Sequence, residues 1–255
     1  MKALILTIAA AALLLMTGTT ACTQQKKLGG ADPAPEIIIL DGAGGERSLE
    51  INFGKGRQHN HPTFAIWIEN SDGTYLQTLF VTRSVGTGVY GHGSVGQEKW
   101  DNKPGPQQRP ATLPYWLHKR SEALGVPLLP SPENPVTDAT TGATPVGGFR
   151  MESGLPAGLT GKFRILLEIN QPWDWNEFWT NVLYDDADYR TSCQPSLVYA
   201  GLLDPNKPGE TVFLNPIGHG HYAGKDGKLY TDLRSLTTAR EIADFITVKL
   251  VENKK

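Results

Sequence analysis

Four of the six histidines stand as His-x-His pairs, His59-Asn60-His61 and His219-Gly220-His221. Residues i and i+2 of a strand share a face, so each pair could offer two imidazole nitrogens to one zinc or copper ion. The two pairs together would make a four-histidine site for a divalent metal ion. Pro62 and the nearby glycines point instead to turns, where the shared face is lost and the histidines are solvated or hydrogen-bonded. The densest aromatic cluster is Trp173-Asp174-Trp175-Asn176-Glu177-Phe178-Trp179. Rings with polar groups between them can stack on a sugar or a flavin, or pack on a core as an ordinary hairpin. Asp174, Glu177 and Glu168 would serve a glycosidase only at a set separation, which sequence spacing does not provide. Cys193 reads as a small buried hydrophobe, because no histidine or basic cluster adjoins it. No G-x-S-x-G, H-E-x-x-H or Walker loop is present.

The elements that must position these groups are mostly strands. The chain has 28 glycines and 18 prolines in 255 residues, about 18%, against a usual value of about 12%. Such a loop-rich composition disfavours a helical bundle or a doubly wound α/β fold. The net charge of −2 gives no extended nucleic-acid footprint, so no nucleic-acid partner is expected. Leu49, Ile51 and Phe53 alternate with polar residues. Phe64–Ile68 and Tyr75–Val81 flank Asn70-Ser71-Asp72-Gly73, a strong hairpin turn. Lys162–Ile169, Ser196–Leu203, Thr211–Leu214 and Ile246–Val251 complete the strand set. Pro114–Ala123 opens on proline and reads as a short helix, and Thr237–Ala243 as one or two helical turns. These patterns predict a mainly β chain. The expected fold is an antiparallel, immunoglobulin-like β-sandwich with long loop insertions and one or two short helices, spanning 36–255 as a single domain. The longest stretch without a periodic pattern is 125–148, with five prolines and four glycines in 24 residues. A loop of that length is disordered or functional.

The N-terminus reads as an export signal over 1–21: one basic residue at Lys2, an apolar run from Ala3 to Met16, then small residues. Thr19-Thr20-Ala21-Cys22 resembles a bacterial lipobox, with Thr19 where an aliphatic is usual. That resemblance implies acylation of Cys22, the membrane being reached through the lipid and 22–35 acting as a polar tether. The implied location is the periplasmic side of a membrane or the outer membrane; the alternative is a secreted protein.

Asp138-Ala139-Thr140-Thr141-Gly142-Ala143-Thr144 reads DATTGAT and lies in the long loop. It resembles the flavinylation motif D-x-x-[S/T]-G-A-T of exported bacterial redox proteins. The resemblance implies covalent FMN on the Thr144 hydroxyl, with Asp138, Thr141, Gly142 and Ala143 read by an FMN transferase. Gly142 and Ala143 carry little bulk, and Pro145 biases Thr144 toward an extended backbone, both suited to presenting a hydroxyl. From about Glu36 onward the order of blocks is similar to that in predicted periplasmic proteins of the domain-of-unknown-function 2271 family. The blocks are Phe64–Arg83, Arg109–Trp116, the DATTGAT loop and Gly161–Asn170. This implies a β-sandwich-like extracytoplasmic electron carrier rather than a turnover enzyme, supplied with electrons by a membrane-bound reductase. The alternative from the residues themselves is a surface lipoprotein that binds a carbohydrate or a metal ion.

Overall fold

The period-two segments do form strands. In chain order they begin with β1 (Glu36–Ile39), β2 (Arg47–Lys55), β3 (Thr63–Asn70) and β4 (Tyr75–Thr82). A one-turn helix, α1 (Arg83–Thr87), leads into two small ribbons. Their strands are β5 (Val89–Tyr90), β6 (Ser94–Gly96), β7 (Lys99–Trp100) and β8 (Gly105–Pro106), with β5 paired to β8 and β6 to β7. Then follow α2 (Pro114–Leu124), β9 (Thr140–Gly142), β10 (Phe149–Gly154), β11 (Phe163–Asn170) and α3 (Ala187–Ser192). The chain continues through β12 (Leu197–Leu203), β13 (Thr211–Phe213) and β14 (Asn215–His219). A 3₁₀ turn at Ala239–Glu241 precedes the last strand, β15 (Ala243–Glu252). This computed structural model describes residues 34–96, 99–156 and 158–252. The expected signal peptide, Cys22 and all of the tether but residues 34 and 35 lie outside the described residues.

Ten of these strands and the edge strand β9 build two facing sheets, ordered β1-β10-β2-β15-β13 and β14-β12-β11-β3-β4-β9. The expected mainly β sandwich is present, with two differences in detail. Each sheet has one parallel pairing at an edge, β1 with β10 and β9 with β4, so both are mixed rather than purely antiparallel. Among the described residues three short helices form instead of one or two, and the single 3₁₀ turn falls within Thr237–Ala243 as expected.

Between the sheets, Leu49, Ile51, Phe64, Ile66, Ile165, Leu167, Val248 and Leu250 form the main core. One end of this core is a column of rings: Phe53 lies on Phe149 at 4.8 Å, Phe149 on Phe64 at 5.3 Å, and Phe64 on Phe80 at 5.2 Å. The six-stranded sheet is also covered on its outer side. There Ala65, Trp67, Leu166 and Val198 meet Leu113, Tyr115, Trp116 and Leu117 of the α2 region and Val136 of the long loop in a second core. This explains the unbroken apolar runs Phe64–Ile68 in β3 and Ile165–Leu167 in β11; strands covered on both faces are apolar on both.

α2 begins without a capping side chain of its own, with Pro114 in its first turn. The orphan amides of that turn are met from β11. Glu168 Oε1 accepts from Tyr115 N at 3.2 Å and Oε2 from Trp116 N at 2.7 Å. Ser196 Oγ donates to Oε1 at 2.5 Å. Glu168 is wholly buried, and that burial pushes its carboxyl from 4.5 up to about 7 against the pull of the three donors. A folded-state value raised above the unfolded one adds stability that is full below about pH 4.5 and is lost as the pH rises through about 7. Urea unfolding between pH 5 and 8 should therefore show a wild-type stability component that falls with rising pH, at most about 3 kcal/mol. Glu168→Gln should lack that component. Parallel pH profiles for the two proteins would contradict this account of α2.

Candidate functional site

Strand register gathers most of the nominated residues at one end of the sandwich. Lys55 pairs with Ala243, Phe53 with Phe149, Thr63 with Asn170, and Leu197 with both Ile169 and His219. The loops that leave these positions include 56–62, 143–148, 171–196 and 220–242; they carry His59, His61, His221, the Trp173–Trp179 cluster and Thr144, with His219 at the end of β14.

The DATTGAT segment is more tightly held than a free loop. Asp138 forms an ion pair with Arg120 of α2, whose side chain is buried. Thr140, Thr141 and Gly142 are β9, in parallel register with Phe80, Val81 and Thr82. A Cβ on Gly142 would lie 2.7 Å from the Phe80 ring, so only glycine lets the strand close over the phenyl column. Ala143 and Val146 are exposed, and Pro145 between them is buried. Thr144 is half-buried, and its hydroxyl donates to the Pro62 carbonyl at 2.8 Å. Lys55 Nζ reaches the Val146 carbonyl at 3.3 Å.

Beyond Pro62 the same 56–62 loop forms one wall of a cleft of about 440 Å³. Arg57, His59 and Asn60 line that wall; Gln171, Trp173, Asp174, Trp175 and Thr238 line the rest. Asn60 N donates to Gln171 Oε1 at 2.7 Å and so joins the two walls. Trp173 and Trp175 are 54% and 45% exposed and meet edge to face at 5.8 Å. Asp174 is buried; its Oδ1 accepts from Thr238 Oγ1 at 2.6 Å, while its Oδ2 has no hydrogen-bond partner among the described residues. Burial raises the Asp174 carboxyl above its ordinary value. Among the described residues, the non-glycines at positive φ are His61 (51°), Trp173 (62°) and Cys193 (65°). Left-handed backbone at a residue with a Cβ is strained, and such strain gathers at functional sites. His61 follows the histidine and asparagine of the first wall, Trp173 is in the second, and Cys193 bridges to Asp174 and receives the Trp175 Nε1–H.

The aromatic cluster thus divides. Asn176 organises its turn, its Oδ1 accepting from Phe178 N and Trp179 N at 2.8 Å each. Trp179 turns inward to Tyr184, Tyr189 and Tyr222, while Trp173 and Trp175 face the cleft. Of the carboxylates, Glu168 serves α2, Asp174 lines the cleft and Glu177 is exposed. Cys193 is buried, which pushes its thiol up to about 11 and leaves it a poor thiolate at neutral pH.

The two histidine pairs are not brought together. The order β14-β12-β11-β3 places His219 three strand spacings from the start of β3, about 14 Å, far beyond one ion's ligand shell. His219 Nδ1–H donates to the Gly220 carbonyl at 2.7 Å, and His221 Nδ1 accepts from Ala223 N at 3.0 Å. His59 packs its ring edge on Phe53 at 5.9 Å, and its burial lowers its pKa; His61 is exposed. Among the described residues, no group of three or more His, Cys, Asp or Glu side chains is placed to hold one ion.

No family model, no curated protein and no solved structure matches the chain. The site is therefore defined by its own geometry. Sequence reasoning missed Arg120, whose partner Asp138 lies 18 residues away across a loop. It also missed the strain at Trp173, for which sequence offers no signal.

The ion pair gives a direct test of how the motif is held. Asp138→Ala strands a buried guanidinium and should cost about 3 kcal/mol in urea unfolding. Adding Arg120→Met should recover most of that loss. A change below about 0.5 kcal/mol in the single variant would show that this pair does not dock the segment.

Proposed function

We propose that the chain is a lipid-anchored extracytoplasmic carrier of FMN, held by a phosphoester on Thr144, that passes electrons from a membrane-bound reductase to an acceptor. The observation that carries this reading is the setting of the Thr144 hydroxyl. Asp138 and β9 fix the first part of the DATTGAT sequence, and the acceptor follows at a rim with exposed Ala143 and Val146 beside it. A single hydrogen bond, to the Pro62 carbonyl, holds the hydroxyl.

The residues present suit an attached phosphate. Transfer of FMN from FAD by a transferase would break the FAD pyrophosphate and form the Thr144 oxygen–phosphorus bond, with AMP leaving and the hydroxyl proton passing to solvent. The Pro62 carbonyl would then lose its donor, which releases Thr144 from the 56–62 loop. A lone neutral hydrogen bond is worth about 1 kcal/mol net, a small barrier to that release. The exposed Lys55 ammonium, bonded to Val146 two residues from the acceptor, lies where it offsets added negative charge. Bound FMN would supply the one- and two-electron chemistry, while this chain supplies position and electrostatics. Lipid on Cys22 would confine the carrier to a membrane surface, where a membrane reductase and a transferase meet it.

Co-expression with an FMN transferase tests the reading. The wild-type protein should gain the mass of one FMN and fluoresce as a denatured band. Thr144→Val should lose the label yet keep its fold, at a stability cost of about 1 kcal/mol, and Thr144→Ser should retain it. An unlabelled wild-type chain beside a labelled control acceptor would overturn the proposal.

A further inference from the structure

We propose that the cleft between the 56–62 loop and Trp173–Trp175 is a binding site for a neutral saccharide, separate from the Thr144 hydroxyl. In it the C–H face of a pyranose ring would rest on one indole, with the other standing at right angles against its rim, and its hydroxyls would bond to Asn60 and Gln171.

Three independent features lead to this assignment. The first is the aromatic corner. Trp173 and Trp175 hold two large apolar rings in solvent at right angles to each other, 88° between planes. Trp173 does so on left-handed backbone, φ 62°. Folding alone would favour glycine there, since glycine adopts that conformation without strain and exposes no indole. Strained residues that expose large rings are the pattern expected where stability has yielded to binding.

The second feature is the polar lining, which is made of amides and hydroxyls: Gln58, Asn60, Gln171 and Thr238. Such groups both donate and accept, as sugar hydroxyls do. Arg57 is the only arginine or lysine lining the cleft, and both its Nε and an Nη are taken by Glu241. Burial of His59 also favours its neutral form. Among the described lining residues, an anionic ligand would therefore meet a single arginine that is already paired.

The third feature is Asp174, 8% exposed, with one carboxyl oxygen lacking a partner among the described residues. A buried polar atom left unpaired is rare; this one is closed off behind the cleft wall, and a ligand hydroxyl would reach it only with a small shift of the lining side chains. The size agrees as well: about 440 Å³ lies in the range of small-ligand clefts, about 300–1,000 Å³.

The test uses the purified full chain made without a transferase. It is titrated with neutral oligosaccharides of glucose, xylose, mannose and N-acetylglucosamine in several linkages, with FMN as the comparison ligand. Tryptophan fluorescence and calorimetry report binding. At least one oligosaccharide should saturate both signals. Trp173→Gly should weaken that oligosaccharide at least about tenfold, while its melting temperature equals or exceeds the wild type. That combination separates a binding residue from a structural one. Should Trp173→Gly fail to fold, Asn60→Ala and Trp173→Phe decide, each expected to weaken binding several-fold in a folded protein. The assignment is overturned if no saccharide saturates by about 10 mM, if binding survives in the folded variants, or if FMN alone saturates the cleft.

Discussion

Glu168 stands in the middle of a sheet that is buried on both faces, and one carboxylate there serves donors from two other elements. Tyr115 N and Trp116 N belong to the first turn of α2, and Ser196 Oγ belongs to the segment entering β12. Burying that group is unfavourable, and it is tolerated because it replaces a missing helix cap and seats α2 on the outer core. α2 in turn presents Arg120, which holds Asp138. Asp138 leads into β9, Gly142 closes on Phe80, and the Thr144 hydroxyl reaches Pro62. A continuous run of contacts thus leads from the sheet centre to the rim.

The 56–62 loop is shared by the two places where chemistry concentrates. Pro62 takes the hydrogen bond from Thr144 on one side, and His59 and Asn60 line the tryptophan cleft on the other. Three residues of the DATTGAT segment also have a structural duty. Asp138 neutralises Arg120, Gly142 makes room for Phe80, and Thr144 satisfies Pro62. A structural duty and recognition by a transferase are compatible, because the paired segment fixes the register while Ala143 and Val146, on either side of Thr144 and Pro145, stay exposed.

Much of the sandwich is legible in the sequence because strand formation is a local and periodic matter. The Asn70–Gly73 turn closes with Asn70 N bonded to Thr74 O, and Gly73 takes φ 91°. Pro114 opens α2 as its position suggests. The third layer is not legible, since nothing in Phe64–Ile68 says which structure covers its outward residues. The parallel edge pairing of β9 with β4 is equally hidden, for it joins residues some 60 apart through backbone groups that carry no sequence mark. The same limit applies to the site. DATTGAT and the tryptophans stand out as residue types, but the distance between the histidine pairs, the inward turn of Trp179 and the strain at Trp173 depend on tertiary placement.

The proposed FMN on Thr144 can be sought in the organism that makes this protein. The most direct measurement is peptide mass spectrometry on the protein isolated from its native host, with the Thr144-containing peptide located by sequence. This peptide should carry one FMN, on Thr144. An unmodified peptide, recovered from cells in which another exported acceptor is flavinylated, would contradict it.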